Sequence, residues 1–216
     1  MTTAVKEFPI LFNTEMVKAI LDGRKTQTRR VVKFQKDKTE ESRIHREMRH
    51  AFKCHDGNWG WTSGGLVIDE RVLKQPGKKC PYGVPGDKLW VRETFSFTDF
   101  PATGTGFARR KYFYKASGNK LYPHMKWKPS IFMPREACRI ILQIDDIRVE
   151  RVCDIREEDA EQEGVTKRPE ILRFDGTGYW YTNTFSSLWE KINGKRGFGW
   201  TVNPWVWVVD FRRVKQ

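Results

Sequence analysis

The chain has 216 residues, with 40 Lys and Arg against 27 Asp and Glu, a formal net charge of +13. Hydrophobic residues make up 38% and aromatic residues 13%, too aromatic for a disordered chain and too polar for a membrane protein. No apolar run reaches the roughly 18 residues of a spanning helix. Met1 to Ile10 carries no apolar core of signal-peptide length, so a soluble cytoplasmic protein with no membrane partner is expected.

The first element is the extended apolar stretch Phe8 to Phe12. Asn13 or Thr14 then offers a helix cap, and Met16, Val17, Ile20 and Leu21 form one apolar face. Gly23 sits where a left-handed residue ends a helix. Arg24 to Val32 follows as a strand rich in Thr and Val. Residues 33–85 read as an insertion. Within it, Arg43, Arg46, Arg49 and Lys53 recur near helical spacing, either as a basic stripe that meets phosphates or as a solvated face. Gly57 to Gly65 reads as a loop, and Cys80 to Asp87 as turns that lead into a strand from Lys88 to Thr94.

Residues 99–107 read as loop and Lys111 to Ala116 as a strand. Arg139 to Val152 is one long strand, or two strands around Asp145 and Asp146. Asp154 with Glu157 suggests a capping box for a helix that runs to Glu163 and stops at Gly164. Thr184 is expected to cap a further helix that stops at Gly194, and a strand from Trp205 to Phe211 ends the pattern. Six or seven strands interleaved with three or four short helices predict an α+β chain. The expected architecture is a small β-barrel with flanking short helices and an inserted basic segment.

Cys54, Cys80, Cys138 and Cys153 form no CxxC pair and are expected as reduced thiols. His50, Cys54, His55 and Cys80 lack the spacing of a common zinc module. The positive charge and aromatic content suit a partner with phosphates and bases, although such charge also serves solubility alone.

The densest polar cluster is Gly23 to Arg30, where Arg24, Lys25, Arg29 and Arg30 flank Thr26 and Thr28. Cationic neighbours and burial lower a lysine pKa. A neutral Lys amine is a competent general base, and a Thr hydroxyl is a nucleophile that needs one. Surface charge at a strand start is the alternative. Glu163, at the helix end, is unfavourably placed against the helix dipole unless a cation faces it.

Five segments carry a family likeness: ILDGRKTQTRR at 20–30, CPYGVPGDKLWVRETF at 80–95, WKPSIFMPREACRI at 127–140, DIREEDAEQEGV at 154–165 and NPWVWVVDF at 203–211. The chain resembles the ASCH-domain proteins of the PUA-like superfamily, above all the larger phage and prophage members. Gly23, Lys25 and Arg30 match the family's G-x-K-x-x-x-x-R signature. The resemblance implies one domain over residues 1–216, with a small β-barrel and a cleft for RNA or a nucleoside.

A sharper likeness is to the N4-acetylcytidine amidohydrolases, whose catalytic Lys, Thr and Glu fall on Lys25, Thr28 and Glu163. It implies a metal-independent hydrolase without a cofactor, acting on an N-acylated cytosine nucleoside. Substrate contacts are then expected from Arg24, Thr26, Arg29, Arg30, Trp90, Arg92, Glu93, Trp127 and Lys128, with Trp90 also suited to core packing. In the implied mechanism Lys25 deprotonates Thr28 or a water, Arg30 or a backbone amide holds the oxyanion, and Glu163 protonates the leaving amine. Two features depart from that class: the 33–85 insertion, and Arg29 where an aliphatic residue is usual. The extra charge suggests a phosphorylated or polymeric substrate. Three alternatives remain: an RNA-binding ASCH module, a ribonuclease, or a phage protein that acts on host defence. The expected assembly is a monomer or small homo-oligomer.

Overall fold

A computed structural model describes residues 4–33, 50–54, 57–62, 78–100, 109–166 and 180–214. The central sheet has five strands in the order β1-β5-β8-β9-β2. These are β1 (Glu7–Leu11), β2 (Gln27–Val31), β5 (Lys88–Arg92), β8 (Ile141–Arg151) and β9 (Trp205–Val214). β1 runs parallel to β5, and every other neighbouring pair is antiparallel. Two hairpins accompany the sheet: β3 (His50–Lys53) with β4 (Trp59–Thr62), and β6 (Phe95–Phe100) with β7 (Arg109–Tyr114). The helices among the described residues are α1 (Thr14–Leu21), α2 (Glu157–Gln162) and α3 (Trp180–Asn193). The α+β class therefore stands. The sheet is not a closed barrel, because β1 and β2 are its two edges. One side chain links those edges: Arg30 on β2 donates to the Leu11 carbonyl on β1 at 2.7 Å. Pro9, which has no N–H to offer a second neighbour, fits an edge strand.

β9 explains why the core has two compartments. Trp205, Trp207, Val209 and Phe211 enter the main core with Ile10, Phe12, Val17, Ile20 and Leu89. Val206 and Val208 point to the other face, against Ala160 of α2 and Phe185 and Trp189 of α3. Both faces of the strand are covered, so its apolar run is nearly unbroken. β8 is one strand of 11 residues. Its register shifts between Ile144 and Asp146, so Asp145 is the extra residue of a bulge. The bulge keeps Leu142, Ile144 and Ile147 all on the main core.

Several local expectations change. Asn13 does cap α1, accepting from the Met16 amide at 2.8 Å. α2 starts at Glu157, and its N-cap Arg156 makes no side-chain cap bond. The capping box on Asp154 is therefore not formed. Glu157 instead accepts the amides of Tyr181 and Thr182 at 2.9 and 3.0 Å. It satisfies the first turn of α3, whose start thus lies upstream of Thr184.

Over the described residues 57–62 the loop reading, and the reading of Lys53 as helical, give way to the β3–β4 hairpin, while 63–65 lie outside the described residues. Gly60 marks a close approach there, since a Cβ would lie 2.5 Å from the Phe52 ring. Trp61 of this hairpin packs edge-on against Trp205 and Trp207 at 6.5 and 6.2 Å. This part of the expected insertion adds to the core. Arg43, Arg46, Arg49 and His55 lie outside the described residues.

Candidate active site

The site begins where the α1–β2 turn meets the end of α2. Gly164, at φ +81°, ends α2 and brings its Cα against Ala19 and Lys25. The Thr26 amide donates to Gln162 O at 2.9 Å, and Lys25 pairs with Glu163 in an isolated bridge. The Lys25 side chain is fully buried. Its Nζ donates to Glu163 Oε2 at 2.6 Å, to Gln27 O at 2.7 Å and to Glu163 O at 2.8 Å. Three acceptors match the three protons of an ammonium, so the resting pair is Lys25 ammonium with Glu163 carboxylate. Burial holds the Lys25 pKa below its usual value; Glu163 opposes the shift, while Arg30 and Arg29 reinforce it. Desolvation, more than the cationic neighbours, is thus the main cause. The cation demanded by a carboxylate at a helix end is Lys25.

Behind this pair lies an ionic network that the sequence reading left largely unassigned. Arg29 is buried in it and donates to Glu150 Oε1 from Nε and Nη2 at 2.9 and 2.6 Å. Its Nη1 reaches Glu163 Oε1 at 3.4 Å and also bonds Gln27 Oε1. Arg148 joins Glu150, Asp159 and Asp210 at 3.3, 2.9 and 2.6 Å. Gln27, only 1% exposed, donates to Asp210 at 2.5 Å and to Asp159 at 3.1 Å. Burial pulls the Asp159 carboxyl upward, but Gln27, Arg29 and Arg148 outweigh it and leave the pKa below the usual value. At Asp210 burial wins and the pKa is raised. Arg29 therefore lines the cavity with its charge already paired to Glu150, Asp159 and Glu163. Two sequence signals were there to be read: a lone Asp210 in an apolar strand, and Gln27 between two threonines of the cluster.

A cavity of about 930 Å³ opens beside the network. Because β2 is an edge strand, residues from both of its faces, Thr28 to Val31, line it, together with Glu163. Thr28 is 2% exposed and its hydroxyl makes no hydrogen bond among the described residues. The opposite wall is apolar and aromatic, with Phe185, Leu188 and Trp189 of α3, then Phe198 and Tyr82. The Arg30 guanidinium lies over the Phe12 ring at 5.1 Å, and its buried Nε has no partner. Burial lowers the Arg30 pKa; Tyr82 and Glu163 oppose this and Arg196 adds to it. Tyr82 is held above its ordinary value, again by burial.

The structure thus brings together Lys25, Thr28, Arg29, Arg30 and Glu163. It does not bring the other expected contacts to this cavity. Arg24 is half-exposed and clamps the Gly164 carbonyl at 2.9 Å and Asp22 at 3.0 Å. Thr26 is exposed, with its backbone used by Gln162 and Phe211. Trp90, Arg92, Glu93, Trp127 and Lys128 lie outside the cavity lining. Arg92 stacks on Trp90 at 5.4 Å, and Lys128 lies over Phe97 at 4.2 Å. Glu93, 1% exposed, pairs with Arg139 at 2.8 Å. Of these five, Lys128 packs on β6 and Trp90 and Arg92 belong to β5. Tyr82 and Phe198 are half-buried aromatics that line the cavity, where Trp90 and Trp127 do not. Among the described residues no group of three His, Cys, Asp or Glu is placed to hold a metal, and no helix is long and apolar enough to cross a membrane.

Comparison with protein-family models, curated proteins and solved structures finds no match to this chain.

Proposed function

We propose that the protein is an ASCH-like amidohydrolase that removes the acyl group from an N-acylated cytosine nucleoside, of which N4-acetylcytidine is the type. One observation carries the reading: the buried Lys25–Glu163 pair, at 2.6 Å, presents Glu163 to the same cavity that Thr28 lines. The Arg30 bridge between the two sheet edges, at 2.7 Å, is the contact by which the open sheet approaches the barrel of that family.

Proton transfer along the short Lys25–Glu163 bond gives a neutral amine and a carboxylic acid. The burial that lowers the Lys25 pKa favours this exchange. The amine takes the Thr28 proton as Oγ1 attacks the acyl carbonyl, and Arg30 faces the developing oxyanion. Glu163 gives its proton to the exocyclic nitrogen, the C–N bond breaks and cytidine leaves. Lys25 ammonium and Glu163 carboxylate are restored, with the acyl group on Thr28. A second exchange lets the amine take a proton from water, which attacks the ester, while Glu163 returns a proton to Thr28. The net reaction is amide plus water to carboxylic acid plus amine. Tyr82 or Phe198 supplies the face on which the base stacks.

The test is incubation of the protein with N4-acetylcytidine, with cytidine and acetate followed by mass spectrometry. Release by the wild type, and none by a folded Lys25→Ala variant, is expected. Equal release by both overturns the role of Lys25; no release by the wild type overturns the reading.

A further inference from the structure

The charge lining the cavity is one-sided. Among the described residues its cations are Arg29, Arg30, Lys33, Lys195 and Arg196, and Glu163 is its sole carboxylate. Glu163 is already committed to Lys25 and Arg29, and Arg29 to Glu150. Arg30 spends its hydrogen bond on a neutral carbonyl. Lys33, Lys195 and Arg196 are exposed and make no ion pair among the described residues. Four positive groups therefore line one cavity without an ion pair among the described residues. Arg30 and Arg196 are close enough to repel each other. Arginines without carboxylate partners, gathered with lysines on a concave surface, are the arrangement that recognises a phosphate.

Thr28 and Glu163 are the lining groups that the proposed reaction uses. Lys33 is five residues beyond Thr28, at most about 17 Å of extended chain. Lys195 and Arg196 follow α3 in a short 3-10 turn, after the apolar wall formed by Phe185, Leu188 and Trp189. The cavity thus combines the Thr28 and Glu163 groups, an aromatic wall and a set of cations on one lining. Its volume, about 930 Å³, is ample for a nucleotide.

Building on the amidohydrolase reading, we infer that the substrate is a phosphorylated nucleoside, with its sugar phosphate held by Lys33, Lys195 and Arg196 and its acylated base turned toward Thr28. The phosphate belongs either to a mononucleotide or to an RNA strand. The recognising chemistry is the same for both.

The test is a set of calorimetric titrations at low salt with cytidine, cytidine 5′-monophosphate, ribose, ribose 5-phosphate and a cytidine-centred trinucleotide. The monophosphate is expected to bind at least about tenfold tighter than cytidine, and ribose 5-phosphate tighter than ribose. Raising salt from about 50 to 500 mM shrinks the preference. The exposed pair Lys195→Ala and Arg196→Ala brings the monophosphate-to-cytidine ratio close to one, with the melting temperature unchanged. Tighter binding of the trinucleotide than of the monophosphate assigns the phosphate to RNA; the reverse assigns it to a mononucleotide. Equal affinities for phosphorylated and plain ligands, or no binding of the monophosphate, overturn the inference. Failure of the amidohydrolase reading is seen separately, as absence of acetate release while the phosphate preference persists.

Discussion

Lys25 and Glu163 are 138 residues apart in sequence and 2.6 Å apart in space, with both side chains almost wholly buried. Taking two charges out of water is costly, and their attraction offsets that cost only when every donor is satisfied. Removing one partner alone leaves a buried, unpaired group. Lys25→Met and Glu163→Leu are each expected to destabilise the fold by about 3–5 kcal/mol. The double variant should recover most of that loss, yet show no turnover. Urea denaturation of the three variants, read as a double-mutant cycle, checks this. A double variant as unstable as the sum of the singles contradicts it.

Thr28 separates chemistry from stability. Its hydroxyl bonds nothing among the described residues, and Val has nearly the same shape. Thr28→Val should change stability by less than about 1 kcal/mol. The same change should lower turnover of N4-acetylcytidine at least about a thousandfold, as loss of a nucleophile does. A variant with turnover near wild type would return the nucleophile's role to water.

Gly164 is where α2 touches the lysine turn. At φ +81° a Cβ would meet both Ala19 Cβ and Lys25 Cβ at 2.8 Å. Gly164→Ala adds left-handed backbone strain to an overpacked contact, an expected cost of about 2–4 kcal/mol. Thermal unfolding measures it. Gly197, also at positive φ but with nothing near its Cβ, is the control, and its Ala variant should lose only about 1–2 kcal/mol.

Burial pushes the Cys80 thiol from 9.0 up to about 11, against a hydrogen bond with the Tyr82 backbone. Below pH 9 the thiol is protonated in both the folded and unfolded states. Between pH 9 and about 11 only the unfolded chain ionises, so stability falls as pH rises through that window. The loss amounts to about 2–3 kcal/mol at its end. Cys80→Ala should flatten this part of the stability-against-pH curve. Iodoacetamide labelling of Cys80 at pH 9 should likewise be slower in the native protein than in urea.

Trp61 tests whether the segment between β2 and β5 belongs to the core. Its ring meets Trp205 and Trp207 edge-on. Trp61→Ala should cost about 2–4 kcal/mol, less than a fully buried Trp because the residue is half-buried. A change under about 0.5 kcal/mol would mark the hairpin as an appendage.

Much of the local structure was legible in the sequence. Asn13 as a cap, Gly23 and Gly164 as left-handed stops, and the β2, β5, β8 and β9 strands follow from short-range rules of capping, backbone freedom and side-chain period. Lys25, Thr28 and Glu163 were singled out by their residue types and by the family likeness; the fold puts Thr28 and Glu163 on one cavity wall and Lys25 buried behind Glu163. Trp90, Arg92, Glu93, Trp127 and Lys128 satisfied the same chemical criteria but pack elsewhere. Side-chain type alone does not say which side of a sheet edge a residue serves.

Only the tertiary structure decided the rest. The Glu157 carboxylate caps α3, so the start of α3 depends on a residue 24 positions earlier. Arg29 reads as a spare cation until Glu150 and Glu163 are brought to it from β8 and α2. Asp210 becomes part of the site because its side of β9 faces Gln27 and Arg148. The cavity lies between α3 and the edge strand β2, and four of its cations make no ion pair among the described residues. Sequence fixes periodicity, which acts over a turn or a strand. Charge neutralisation acts between groups that only the folded chain makes neighbours, and it determines which cations remain free for a ligand.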